Sequence, residues 1–261
     1  MKKGPSRSIV FVAGAFIGNN CWDEWRDLFE RRGYTCLAPA WPGKDGEPEE
    51  LRNRQPNATI AANRLDTIVQ FFEKVANALQ EEPILIGHSL GGLVVQLLLQ
   101  RGIGAAGIAL HPFPPPGSIR SRFFFFKAIW PALGLLSSVR NAYMISYSKW
   151  KGTLANGLSC EQQKGLFYKY AIPESKGIIR DLLKSGAKID FKKYHPPLLI
   201  TSGDRDRMVP ASIVFENYKN YGVSNSITDY KDFRGINHLP FENKSFEEEA
   251  DFVLYWLKGI T

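Results

Sequence analysis

A chain of 261 residues with 44% hydrophobic content is long enough for one α/β domain with an insertion and apolar enough for a sizeable core. Its 33 Lys and Arg against 26 Asp and Glu give a formal net charge of +7, yet no contiguous basic run or recognition motif accompanies the excess, which argues against a nucleic-acid partner. No stretch approaches the roughly 18 uninterrupted apolar residues of a membrane span, and three cysteines (Cys21, Cys36 and Cys160), an odd number without metal-like spacing, point to a reducing compartment, the cytosol, rather than to a disulfide framework.

In chain order, Met1-Lys2-Lys3 ahead of the apolar residues Ile9 to Phe16 superficially has the pattern of a short signal peptide. The stretch reads instead as the first core strand, Ile9 to Val12, and the loop after it, because cleavage there would delete a strand the fold needs. Trp22 to Arg32 fits the first helix, closed by Gly33, and Cys36 to Ala38 the second strand. From Asn57 to Leu79 the spacing of Leu65, Ile68, Val69, Phe72, Val75 and Leu79 predicts one amphipathic helix, with Asn57 or Thr59 as its N-cap. Ile84 to Ile86 predicts the third strand, and Gly87-His88-Ser89-Leu90-Gly91 follows it directly. A G-x-S-x-G between strand and helix is a nucleophile elbow, a turn so tight that the serine hydroxyl is held out at the sheet edge. The competing reading is a buried serine in a glycine-rich turn. The setting favours the elbow, since Leu90, Leu93, Val94, Leu97 and Leu98 recur at helical spacing and Gly102 stands where a C-cap glycine is expected.

Gly107 to Leu110 predicts a fourth strand, and about ninety residues then pass before the fifth at Leu198 to Thr201, far more than a βα crossover needs. Residues 112–190 therefore read as a helical cap inserted into a core made of residues 1–111 and 191–261. The segment begins beside the rigid run His111-Pro112-Phe113-Pro114-Pro115-Pro116-Gly117, which cannot be a helix interior. It carries Phe123 to Phe126, Trp130, Tyr143, Tyr147, Trp150, Phe167, Tyr168 and Tyr170, and between 114 and 190 twelve Lys or Arg stand against four acids. Such a segment offers a roof for an apolar acyl or alcohol group, attraction for an anionic substrate or a lipid surface, and a homodimer contact through the four phenylalanines. The opposing reading is solvated helix faces around the cap's own aromatic core. A last strand is expected around Ile227 to Tyr230 and a last helix that buries Phe246, Ala250, Val253, Leu254 and Leu257. Strands alternating with helices imply an α/β fold, a mostly parallel sheet of about six strands covered on both faces.

An active Ser89 needs a general base within hydrogen-bond reach and an acid to orient that base. Of the four histidines, His195 lies before Pro196-Pro197 at a strand entrance and reads as structural, while His88 sits inside the elbow and points away from the serine. His111 follows a strand at its C-terminal edge, a place on the pocket wall. His238, between the last strand and the last helix, reaches the same edge as Ser89 and is the expected base. The loop Ser202-Gly203-Asp204-Arg205-Asp206 offers two candidate acids, of which Asp206 is the choice; the competing role for these carboxylates is to cap the helix starting near Pro210.

The order Ser89, Asp206, His238 resembles that of the α/β-hydrolase superfamily, and the resemblance spans nearly the whole chain. It rests on Phe11-Val12-Ala13-Gly14-Ala15-Phe16 with Trp22 and Trp25, Ala38-Pro39-Ala40-Trp41-Pro42-Gly43, the elbow, the loop Gly203-x-x-Asp206-x-x-Val209-Pro210, and His238. It implies a three-layer sandwich, favours Asp206 over Asp204, and implies an oxyanion hole made by the backbone N–H groups of Ala15 and Leu90. Phe16, His88, His111 and Phe113 are the candidate pocket-lining residues. Ala13 stands where relatives commonly carry a histidine that supports the oxyanion loop. The expected activity is that of a cofactor-free, metal-free serine esterase or lipase acting on a small to medium apolar ester. Other chemistry known on this fold (C–C bond hydrolysis, hydroxynitrile cleavage, perhydrolysis) and a ligand-binding protein with a vestigial triad are the alternatives.

Overall fold

The computed structural model describes residues 6–116, 133, 138, 140–223, 225–241 and 243–260. Six strands, β1 (Ser8–Val12), β2 (Thr35–Leu37), β3 (Ile84–His88), β4 (Ala106–Leu110), β5 (Leu198–Gly203) and β6 (Thr228–Phe233), form one sheet in the order β2-β1-β3-β4-β5-β6. Every neighbouring pair is parallel, with Ile9 opposite Ile84, Ile84 opposite Ala106, and Gly107 opposite Leu198. A parallel strand buried on both faces reads as a continuous apolar run, and β3, β4 and β5 are buried along their whole length. At the sheet edge, β6 (Thr-Asp-Tyr-Lys-Asp-Phe) buries only Phe233.

Helices cover both faces: α1 (Asp23–Arg31), α2 (Pro48–Asn53), α3 (Ala58–Ala62), α4 (Leu65–Asn77), α5 (Leu90–Leu99), α6 (Tyr147–Thr153), α7 (Cys160–Tyr170), α8 (Lys176–Asp181), α9 (Ala211–Asn220) and α10 (Asn243–Ile260). All ten residues of α5 are buried, which places the helix after the elbow at the centre of the molecule. The single helix expected from Asn57 to Leu79 is two. Asn57 does cap α3, accepting from Ile60 N–H, but the chain turns extended at Asn63 and Arg64 before α4 begins. Tertiary hydrogen bonds replace the helical ones at the break: Ser175 Oγ donates to the carbonyls of Ala61 and Asn63, and the Asp181 carboxylate pairs with Arg64 and accepts from Leu65 N–H.

Of the segment between β4 and β5, the described part holds α6, α7 and α8. Its aromatic side chains largely pack on one another, with Phe167 edge-on to both Tyr147 and Trp150. Phe123 to Phe126, Trp130 and the dimer contact expected of them lie outside the described residues. Two antiparallel bridges, Ile17 with Ala171 and Tyr143 with Glu174, fasten this segment to the loop after β1 and to itself. Among the described residues no helix is long and apolar enough to cross a membrane.

Candidate active site

Ser89 sits between β3 and α5 with φ 54° and ψ −116°, a left-handed backbone that a non-glycine residue holds only where its surroundings enforce it, at a cost of about 1–3 kcal/mol. The enforcement is visible. Ser89 N–H donates to Leu110 O across the sheet, and Ser89 O accepts from Gly92 N–H and Phe113 N–H. The flanking glycines are required by close approach: a Cβ on Gly87 would lie 2.2 Å from Gly91 O, and one on Gly91 would lie 2.1 Å from Val12 O.

His238, in the loop between β6 and α10, brings Nε2 to 2.9 Å from Ser89 Oγ and Nδ1 to 2.6 Å from Asp206 Oδ2. Asp206 Oδ1 accepts from the amides of Met208 and Val209, so its second oxygen is fixed towards the imidazole. Burial opposes ionisation of Asp206, but His238 and His111 outweigh it and hold the carboxyl well below the ordinary aspartate range. Asp204 plays a different part. Exposed, it accepts from Gly235 N–H at 2.6 Å and ties the two loops together. Asn156, from the segment between β4 and β5, braces both loops as well, donating to Arg205 O and accepting through its backbone carbonyl from Asn237 Nδ2. Trp25 Nε1 donates to Pro240 O and anchors the far side of the His238 loop to α1.

The amides of Ala15 and Leu90 donate no hydrogen bond among the described residues, which leaves both available to an incoming oxygen. The loop that presents Ala15 is held from the segment between β4 and β5. Phe16, with φ 66°, donates its N–H to Glu174 Oε2 at 3.3 Å and accepts from Ile172 N–H, while Gly18 N–H donates to Tyr170 O. Glu174 is fully buried, pairs with buried Lys44 at 2.5 Å, and also accepts from Ser175 N–H. Burial pulls the Lys44 pKa down and Glu174 opposes the shift; the ammonium also lies 4.1 Å over the Trp41 ring. Neither Lys44 nor Glu174 stood out in the sequence, because they lie 130 residues apart and each reads alone as a surface charge.

Two expected pocket-lining residues lie elsewhere. His88 and His111 have no accessible surface. His88 Nε2 lies 2.6 Å from the backbone carbonyl of His238; burial first, then His238 and His111, keeps its ring neutral, so it donates there. His111, with φ 47°, stands behind Asp206: its Nδ1 is 3.3 Å from Asp206 Oδ2 and its Nε2 is 2.9 Å from Glu249 Oε1 on α10. A residue at a strand's C-terminal edge has two sides to face, and the flanking carboxylates draw this ring away from the pocket. Glu249 itself was legible in principle as a carboxylate three residues after Phe246 and four before Val253, on the apolar face of α10. Phe16 and Phe113 remain beside Ala15 and the elbow, each nearly buried. His195 is structural, its Nδ1 2.7 Å from Pro196 O.

A family model described as the alpha/beta hydrolase family matches residues 9–251. No curated protein matches the sequence. Among solved structures, the chain is similar to a monoacylglycerol lipase of Paleococcus ferrophilus (18% identity over 99% of this chain and 97% of that one, TM-score 0.69). It is also similar to a pyrethroid hydrolase of Sphingobium faniae JZ-2 (16% identity, 97% and 98% covered, TM-score 0.66). A third is tomato methylketone synthase I in complex with 2-tridecanone (15% identity, 98% and 99% covered, TM-score 0.70). At these identities the likeness is one of fold.

Proposed function

The chain belongs to the alpha/beta hydrolase family, and from that premise we propose that it is a serine hydrolase cleaving carboxylic esters of small to medium apolar substrates through an acyl-enzyme. The observation that carries this reading is one imidazole in contact with both partners, His238 Nε2 at 2.9 Å from Ser89 Oγ and Nδ1 at 2.6 Å from Asp206. An ionised Asp206 keeps the proton on Nδ1, so the Nε2 lone pair faces the hydroxyl. His238 takes the Ser89 proton as Oγ bonds to the substrate carbonyl carbon, and the charge that develops on the carbonyl oxygen is met by the Ala15 and Leu90 amides. Each such donor contributes about 3 to 4 kcal/mol of barrier lowering. Collapse of the tetrahedral species breaks the ester C–O bond, and the departing alcohol takes the proton from His238. Water then attacks the acyl group by the same route, releasing the carboxylic acid and restoring Ser89.

In this reading, residues 112–190 act as a cap over the strand edge, and their aromatic content suits an apolar acyl or alcohol group. The lipase and the pyrethroid hydrolase among the structures of similar fold support ester hydrolysis as the reaction class. The methylketone synthase is a reminder that the fold hosts other chemistry. Three unpaired cysteines are in keeping with the cytosol.

A fluorophosphonate probe at neutral pH tests the reading. The wild type is expected to label at Ser89, Ser89→Ala to lose all labelling, and p-nitrophenyl esters to turn over fastest at short to medium acyl length. A folded wild type that fails to label would overturn the assignment in favour of a ligand-binding protein.

A further inference from the structure

We propose that His111 is a positioning residue for Asp206 and that, together with Glu249, it sets the net negative charge that His238 meets. The inference rests on the reading of Ser89, His238 and Asp206 as a triad, and extends it from three residues to five.

The geometry requires a particular protonation state. Both ring nitrogens of His111 face carboxylate oxygens, Nδ1 towards Asp206 Oδ2 at 3.3 Å and Nε2 towards Glu249 Oε1 at 2.9 Å. A neutral imidazole has one N–H and one lone pair, so it would aim a lone pair at an anionic oxygen. An imidazolium donates to both. Asp206 Oδ2 is thereby shared between two imidazoles, His238 in front and His111 behind, while Glu249 Oε2 accepts from Thr201 Oγ1 on β5. Burial disfavours a charged ring, but Glu249 first and Asp206 next outweigh it and push the His111 pKa up to about 10.

The described elements whose contacts reach His111 supply the groups of this arrangement. The loop after β5 supplies Asp206, α10 supplies Glu249, and β5 supplies the neutral Thr201. The loop after β6 supplies His238, with ring centres 6.1 Å apart, and β3 supplies the neutral His88 at 6.2 Å. Two carboxylates and one imidazolium leave one net negative charge in front of His238, the same as a lone aspartate would present. The added pair fixes the Asp206 oxygen from behind without changing that charge. Removing the imidazolium alone leaves two anions, which favours the protonated form of His238.

The experiment compares the pH dependence of kcat/KM for a p-nitrophenyl ester in wild type, His111→Gln and the double variant His111→Gln/Glu249→Gln. In His111→Gln the ascending limb is expected to move up by about two pH units, as for a unit charge removed about 6 Å away at an effective dielectric near 20. In the double variant the limb is expected to move back towards the wild type, because a single carboxylate remains. A purely structural role predicts cumulative loss of rate with no reversal of the limb, and an unmoved limb in His111→Gln overturns the proposal. ¹⁵N-histidine NMR of the wild type at pH 8 provides a second readout that needs neither turnover nor a variant that folds. His111 is expected as an imidazolium with both nitrogens protonated, and a neutral ring overturns the inference even if Ser89 labels. Conversely, a wild type that does not label but shows that imidazolium refutes the hydrolase reading and leaves the charge arrangement standing.

Discussion

Replacing Lys44 with methionine tests whether the buried ion pair stabilises the loop that presents Ala15 and Phe16. The substitution keeps a long unbranched side chain over Trp41 but removes the ammonium, leaving Glu174 with the amides of Phe16 and Ser175 as its partners. Both side chains are almost wholly inaccessible, 3% for Lys44 and 0% for Glu174, so water cannot replace the lost charge. Breaking a buried pair from one side typically costs about 3–5 kcal/mol, because the remaining ion has given up its hydration without a partner. Urea unfolding followed by tryptophan fluorescence should show a loss of that size at pH 8. The sign of the pH dependence follows from the stranded carboxylate. Protonation removes its charge, so the deficit relative to wild type should shrink as the pH falls to 5 and grow as it rises. The double variant Lys44→Met/Glu174→Gln, which keeps an acceptor for Phe16 N–H and has no charge to strand, should recover at least about 1 kcal/mol. A Lys44→Met protein within about 1 kcal/mol of wild type at pH 8, or one whose deficit is the same at both pH values, would refute the reasoning.

Asp206→Asn and Asp204→Asn separate the two carboxylates of one loop. By analogy with other triads the first should lower kcat by about 10³ to 10⁴, whereas the second should stay within about tenfold of wild type, since it loses a loop tie to Gly235 and no triad contact; comparable losses in both would remove Asp206 from the acid's role. Gly91→Ala would force a Cβ to 2.1 Å from Val12 O and 2.6 Å from Ala13 O, so α5 must move by about 1 Å from β1, carrying the Leu90 amide away from Ala15. The expected result is a stability loss of about 3 kcal/mol and a fluorophosphonate labelling rate about 100-fold lower, and a variant matching wild type in both would contradict the described approach of α5 to β1.

What the sequence reveals depends on how local the cause is. The elbow is local: glycines at fixed offsets around Ser89, an apolar run before it and a leucine-rich helix after it all lie within one short stretch of chain. The alternation of apolar runs with helical stripes is local too, and it suffices for a parallel sheet of six strands. The break between α3 and α4 is not. Nothing in residues 57–79 ends a helix at Asn63; the hydroxyl of Ser175 and the carboxylate of Asp181, far along the chain, make an extended turn cheaper there. The same limit separates Asp204 from Asp206. Both stand at a strand end, and only the direction of the loop, fixed by Met208 and Val209 N–H groups on one oxygen, decides which carboxylate meets an imidazole. His111 read as part of a pocket wall until the fold set it 2.9 Å from Glu249, 138 residues further along the chain.

The arrangement of these partners along the chain also has a temporal side. Ser89 is translated early, but its imidazole and the brace behind its acid are His238 and Glu249, on the last loop and the last helix of the sheet. In the proposed reading, a polypeptide still emerging from the ribosome carries the serine without a proton acceptor, and the hydroxyl becomes reactive only when α10 docks. Covalent labelling of Ser89 would then report completion of folding, and a chain shortened within α10 would be silent towards the probe even if its sheet had formed.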